Sequence, residues 1–173
     1  MSDPPAAERI TVRTARPGDG PALARIHAEV ARYYLELASD YFQMPALERF
    51  ADGTDGHSGN PVSRSERCLV AEAQGEVVGA LVARLLEHED EADPDLATDV
   101  TQLRLRIEYL ATAAAYRRQG VGTRLVQAAE AWGRTSGATI AETTTFQGSP
   151  LSVPFWEDRM GYEERSINLR KRL

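Results

Sequence analysis

The feature that most constrains this chain is the run Arg117-Arg118-Gln119-Gly120-Val121-Gly122-Thr123, because of what flanks it. Before it, Leu103, Leu105, Ile107 and Tyr109 alternate with Arg104, Arg106 and Glu108, the period of a half-buried strand. After it, Val121, Leu125, Ala128, Ala129 and Trp132 recur at helical spacing, and Gly137 can end that helix. A strand, a short glycine turn and a helix make an anion-binding arrangement. The first N–H groups of a helix lack internal acceptors and carry the positive end of its dipole. Glycine lets a phosphate come close to them. Two glycines alone are a weak signal. Leu125 stands where the dinucleotide fingerprint has its third glycine, and no Walker A pattern occurs, so nucleotide hydrolysis has no support.

The rest of the chain supplies elements for a mixed sheet. Residues 9–15 read as a strand, and Arg16 to Pro21 as a turn with Asp19 as N-cap and Pro21 in the first helical turn. Leu23, Ile26, Val30, Tyr34 and Leu37 form one face of a helix. A shorter helix is expected from about Pro45 to Ala51, then a Gly- and Ser-rich loop over 52–66. Strands over 67–73 and 76–86 flank Gln74-Gly75, a tight hairpin turn. Residues 87–101 form an acidic loop, with a solvated face as its simplest role. Leu110 breaks the alternation of the following strand and suggests a bulge there. A strand over 138–146, a short helix around 154–160 and a last strand over 162–173 complete the order. The expectation is one α/β (α+β) domain over residues 1–173.

Composition excludes several classes. The 173 residues are 42% hydrophobic and 27% charged, with a net charge of −6 and no basic stripe, which argues against nucleic acid as a partner. No apolar run approaches the roughly 20 residues that cross a bilayer, so no membrane partner is expected. Cys68 is the only cysteine, so no internal disulfide can form, and it reads as a small buried apolar residue. The opening Met1-Ser2-Asp3-Pro4-Pro5 has no basic or apolar leader, and a cytoplasmic location is expected. His27, His57 and His88 are scattered without ligand spacing, so no metal is expected.

The run from Ile107 through Arg117, Gly120 and Gly122 to Thr123 resembles motif A of the GNAT superfamily of acyl-CoA N-acyltransferases. Phe155-Trp156-Glu157-Asp158-Arg159-Met160-Gly161-Tyr162 resembles the family's motif B, and the opening from Ile10 to Ile26 its first strand and helix. The resemblance implies a mixed sheet of about six to seven strands with about four helices. It implies acetyl-CoA as co-substrate and transfer of its acetyl group to a primary amine through a tetrahedral intermediate. Arg117 and the backbone N–H groups of Arg118, Gln119, Gly120, Val121, Gly122 and Thr123 would hold the pyrophosphate. Leu110, Ala111 and Thr112 would pair with the pantetheine arm, and the N–H near Leu110 would face the thioester carbonyl. Losing such an oxyanion donor costs about 3 kcal/mol of barrier.

An amine of pKa near 10.4 is only about 0.04% neutral at pH 7, so a general base is expected. Glu108 is the first candidate and Glu142 the reserve; the competing role for Glu108 is an ion pair with Arg106. Relatives often protonate the departing thiolate with a motif B tyrosine. Trp156 stands there in this chain and reads as a core or pantetheine-packing aromatic, which leaves Tyr162, Tyr116 or water as the donor, or no acid at all, since the thiolate is a fair leaving group. Ser149 falls where relatives carry a CoA-contacting asparagine; with Ser152 it is a candidate contact, and an N-cap is its simpler role. The acceptor, a small molecule or peptide, is expected near residues 27–60. There Glu29, Tyr33, Tyr34, Glu36, Asp40, Tyr41 and Phe42 suit a cationic amine. A homodimer is compatible with the sequence and not required by it. The competing readings are a non-catalytic acyl-CoA-binding module and a nucleotide-binding protein of another fold.

Overall fold

The computed structural model describes residues 10–47, 64–87, 98–166 and 168–171. Five strands, β1 (Thr11–Thr14), β2 (Glu66–Ala73), β3 (Glu76–Leu86), β4 (Arg104–Thr112) and β5 (Ile140–Thr143), lie side by side in chain order. Every pair is antiparallel except β4 with β5. The β2–β3 turn places Gln74 at φ 54° and Gly75 at φ 83°. Two positive φ values in a two-residue loop match the twist of the hairpin strands.

The parallel β4–β5 pair needs a crossover, and helix α2 (Val121–Thr135) supplies it. Helix α1 (Gly20–Leu37) covers the opposite face. With helices on both sides, β3 is buried continuously from Val77 to Ala83, because a central strand has no wet face. Leu81, Leu105, Ile107, Val121, Leu125 and Val126 fill the α2 side; Leu23, Ile26, Val70, Val77, Ala80 and Ala111 fill the α1 side. Gly79 makes the α2 contact close, since a Cβ there would lie 2.6 Å from Val121 Cγ1.

Several expectations change. The sheet has five strands among the described residues, fewer than six to seven. Among the described residues the expected last strand is not formed: 162–166 and 168–171 have no regular secondary structure and do not pair with the sheet, and Leu169 is 88% exposed. Besides α1, α2 and two 3-10 turns at Thr98–Thr101 and Ala114–Tyr116, the described residues hold one short α-helix, α3 (Ser152–Pro154), which widens into a π-helical turn over Phe155–Arg159. Pro45 to Leu47 are not helical, and the rest of that expected helix lies outside the described residues, as does the acidic stretch 88–97. Asp19 precedes α1, but its side chain does not cap it. Its carboxylate takes the Arg13 guanidinium in a fork at 2.8 and 2.9 Å and the Arg16 N–H at 2.8 Å, so both oxygens are turned to the strong bidentate pair and away from the helix N–H groups.

Candidate active site

The site begins where β4 and β5 part. They pair only along Arg104–Ile107 and Ile140–Thr143, and Thr143 Oγ1 closes the pairing by donating to the Ile107 carbonyl at 2.9 Å. Beyond that point β4 runs on to Thr112 with only β3 beside it. The backbone edge of Glu108 to Thr112 therefore borders a groove of about 590 Å3.

The bulge is in this stretch, but at Glu108 rather than Leu110. Val82 pairs with Tyr109 and Ala83 with Ile107, which leaves Glu108 as the extra residue. One extra residue inverts the alternation. Ile107 stays on the α2 side, whereas Tyr109 turns to the α1 side and stacks on His27 at 5.0 Å. The expected grouping of Tyr109 with Ile107 fails for this reason. Alternation counted along the sequence cannot locate a bulge whose extra residue is itself polar.

The floor of the groove is the turn before α2. Arg118 at φ 60° and Gly120 at φ 84° are both left-handed, and Gly120 is the N-cap residue. Such alternation aims successive N–H groups into one concavity, an anion nest at the positive end of a 15-residue helix. A Cβ on Gly120 would meet no protein atom. The charged groups lining the groove are Glu108, Arg117, Arg118 and Arg159, a cationic balance suited to phosphates.

Glu108, Leu110, Thr112, Arg117, Arg118, Gly120, Val121, Gly122, Thr123 and Trp156 all line this groove. Three expected contacts do not. The Ala111 side chain is buried in the α1-side core, so only its backbone edge is available. Gln119 Nε2 donates to the Ala115 carbonyl at 2.9 Å and braces the turn. Ser149 is 1% exposed, held under the wall by Tyr33 and Ser152.

Glu108 does not pair with Arg106. Its carboxylate lies 2.5 Å from Arg84 on β3, while Arg106 donates to Glu142 at 2.9 Å and Thr144 at 3.0 Å. Arg104 reaches the other Glu142 oxygen at 3.3 Å, so Glu142 is an ion-pair hub of the β4–β5 seam, and unlike Glu108 it does not line the groove. Tyr162 lies outside the groove wall; its hydroxyl donates to Glu130 at 3.2 Å. Burial, then the Glu130 charge, pushes its phenol well above the usual range. Trp156 is 7% exposed and packs on Phe155 and Tyr162, as a packing aromatic does.

Of the acceptor set, Tyr33 and Tyr34 line the groove, with the Arg117 guanidinium over the Tyr33 ring at 5.4 Å. Glu29 does not: it accepts the Ala114 N–H at 2.8 Å and fixes the turn after β4. Tyr41 and Phe42 pack with Tyr34 and Phe146, and Asp40 lies 3.7 Å from Arg170. Sequence reasoning missed Thr143 to Thr145 and Leu151 as lining residues, which no motif marks; the parting of β4 from β5 opens the groove to Thr143 to Thr145.

The family described as "Acetyltransferase (GNAT) family" matches residues 27–162. Among solved structures, a transcriptional regulator from Bacillus halodurans is 20% identical, at TM-score 0.69 over 95% of this chain and 99% of that one. A Trypanosoma brucei acetyltransferase is 16% identical, at TM-score 0.64 over 95% and 99%. An aminoglycoside acetyltransferase from a soil metagenome, in complex with sisomicin, is 17% identical, at TM-score 0.62 over 96% and 97%. At these identities the structures speak for the fold.

Proposed function

We propose, from the premise that the chain belongs to the acetyltransferase (GNAT) family, that it is an enzyme which transfers an acetyl group from acetyl-CoA to a primary amine. One observation carries this reading. The anion nest at Gly120 and the single-sided edge of β4 open onto the same groove, beside Glu108. A pyrophosphate in the nest would place an extended pantetheine arm along that edge as a strand-like partner. The acyl carbon would then reach the bulge, where the irregular backbone exposes groups that regular pairing would consume.

In this reading Arg117, Arg118 and the N–H groups up to Thr123 hold the pyrophosphate. The backbone near Leu110 polarises the thioester carbonyl, and Glu108 takes the proton of the attacking amine. Arg84 orients Glu108 and is partly exposed, so water can share the pair. The neutral amine attacks the carbonyl carbon, the intermediate collapses, and CoA leaves as its thiolate.

The test is thermal unfolding with acetyl-CoA, CoA, NAD or ATP added singly. A ligand at 100 times its Kd stabilises the folded state by about 2.7 kcal/mol, or roughly 5–10 °C in Tm for a chain of this length. A shift with acetyl-CoA and CoA alone supports the reading, and an amine screen for thiol release then identifies the acceptor. No shift at millimolar acetyl-CoA overturns it. A shift without turnover for any amine would favour the non-catalytic acyl-CoA-binding module instead.

A further inference from the structure

Four hydroxyls join α1 to the start of α3. Tyr33 Oη lies 3.0 Å from Ser149 Oγ, Ser149 Oγ lies 2.7 Å from Ser152 Oγ, and Ser152 Oγ lies 2.8 Å from Tyr34 Oη. Ser149 Oγ also accepts the Ser152 N–H at 3.1 Å. Tyr33, Tyr34 and Ser152 line the groove, and Ser149 does not.

Hydroxyl valence decides what this chain can do. Each hydroxyl carries one proton and two acceptor sites. Three contacts among four hydroxyls consume three protons, so one proton is always left over. The spare proton cannot sit on Ser149: that would require Ser149 to accept from Tyr33, from the Ser152 hydroxyl and from the Ser152 N–H at once. It falls on Tyr33, Tyr34 or Ser152, each of which borders the groove. Concerted reversal of the hydrogen bonds moves it from one tyrosine to the other without breaking a contact.

We propose that this Tyr33–Ser149–Ser152–Tyr34 chain is the proton donor to the CoA thiolate, in place of the tyrosine that Trp156 replaces. The inference rests on the acetyltransferase reading. As the carbon–sulfur bond breaks, its electron pair stays on sulfur, and the sulfur takes the spare proton from the hydroxyl facing it. Each remaining proton shifts one place along the chain, and the far tyrosine recovers one from groove water. The acylated amine releases one proton, so the count closes. Ser149 is a positioning residue: it never meets the sulfur, but it joins the two halves. Tyr162, turned toward Glu130, takes no part.

The experiment needs no acceptor. CoA is bound to saturation, and the thiolate absorbance of the bound form is followed against pH, with desulfo-CoA as the blank for the same groove. A hydroxyl that donates to the sulfur favours the thiolate, and a hydrogen bond to a charged acceptor is strong enough for about a tenfold change in the thiolate-to-thiol ratio. The wild type should show that excess over Tyr33→Phe/Tyr34→Phe, whose remaining serine hydroxyls are poor acids. Ser149→Ala should fall between them. Equal ratios in the wild type and the double variant overturn the proposal while leaving the acetyltransferase reading intact. If the double variant no longer binds desulfo-CoA, the comparison is read on Tyr33→Phe and Tyr34→Phe; at least one must lower the ratio, and no change in either overturns it. Failure of the wild type to bind CoA would remove the acetyltransferase reading and this inference together.

Discussion

The Glu108 carboxylate meets the Arg84 guanidinium at 2.5 Å across the β3–β4 pair, and it does so because Glu108 is the residue that β4 inserts against β3. The bulge thus delivers one side chain both to the groove and to a cation. Glu108→Gln keeps the shape and removes the base. With the amine found by thiol release, its kcat should fall about 100-fold while the KM for acetyl-CoA changes less than threefold. Arg84→Gln should cost less than about 1 kcal/mol of stability, because a half-exposed pair contributes little. If Glu108→Gln and Arg84→Gln lower kcat equally and by under threefold, Glu108 is only an ion-pair partner.

Gly79 sets how closely the first turn of α2, which carries the proposed phosphate nest, seats on β3. A methyl group there would stand 2.6 Å from Val121 Cγ1 and 3.1 Å from Leu125 Cδ1, so the β-branched, rotamer-stiff Val121 at the first turn of α2 must shift. Gly79→Ala should destabilise the protein by about 1–3 kcal/mol and shrink the Tm shift that CoA produces, because the N–H groups of the nest move with Val121. Gly79→Ala/Val121→Ala recovers the lost space, and at least half of the CoA response should return with it. A Gly79→Ala protein with full CoA response would show that the nest does not depend on helix seating.

The fold class, the hairpin at Gln74-Gly75 and the strand–nest–helix unit were legible in the sequence because each is local. Periodicity fixes the first, two consecutive positive φ values the second, and the glycine-started helix the third. The rest required tertiary information. Pairing partners such as Arg84 for Glu108, or Glu142 for Arg106, depend on register across strands up to 36 residues apart. Side-chain direction past Glu108 depends on where one extra residue enters. Ser149 accepts the Ser152 N–H as its cap role predicts, but a motif position does not say which way a hydroxyl points once Tyr33 comes within reach from α1 and holds it under the groove wall.

Acid stability should expose the Arg13 hub. Asp19 is 6% exposed, and its hydrogen bonds with Arg13, then the Arg16 N–H, hold its carboxyl below the usual range against the cost of burial. The Glu72 carboxyl is lowered for the same leading reason, its bond to Arg13. A group whose folded pKa is depressed adds stability that is present above its unfolded pKa, near 3.9 for Asp, and lost as pH falls through the folded value. Asp19→Ala should therefore cost about 2 kcal/mol at pH 7, a Tm drop of roughly 4–8 °C. The gap between wild type and variant should narrow as pH falls below about 4. A gap unchanged between pH 7 and pH 3 would mean that charge plays no part in the hub.

Tyr162 provides the sharpest check on the route of the thiolate proton. It follows Trp156 closely in the chain and is, with Tyr116, one of the two phenols the sequence offers for that role. Yet it packs edge-on against Trp156 at 5.0 Å, donates to Glu130 on α2, and does not line the groove. Its phenol is also raised by burial and by the Glu130 charge, which makes it hold its proton where a donor must release it. Tyr162→Phe removes that hydroxyl while keeping the ring in the core. Stability should fall by about 1 kcal/mol for the lost hydrogen bond, and kcat should stay within threefold of the wild type. A loss of kcat of about 100-fold or more, with acetyl-CoA KM unchanged, would return the acid role to Tyr162 and require the Phe155–Arg159 turn to rearrange when substrate binds.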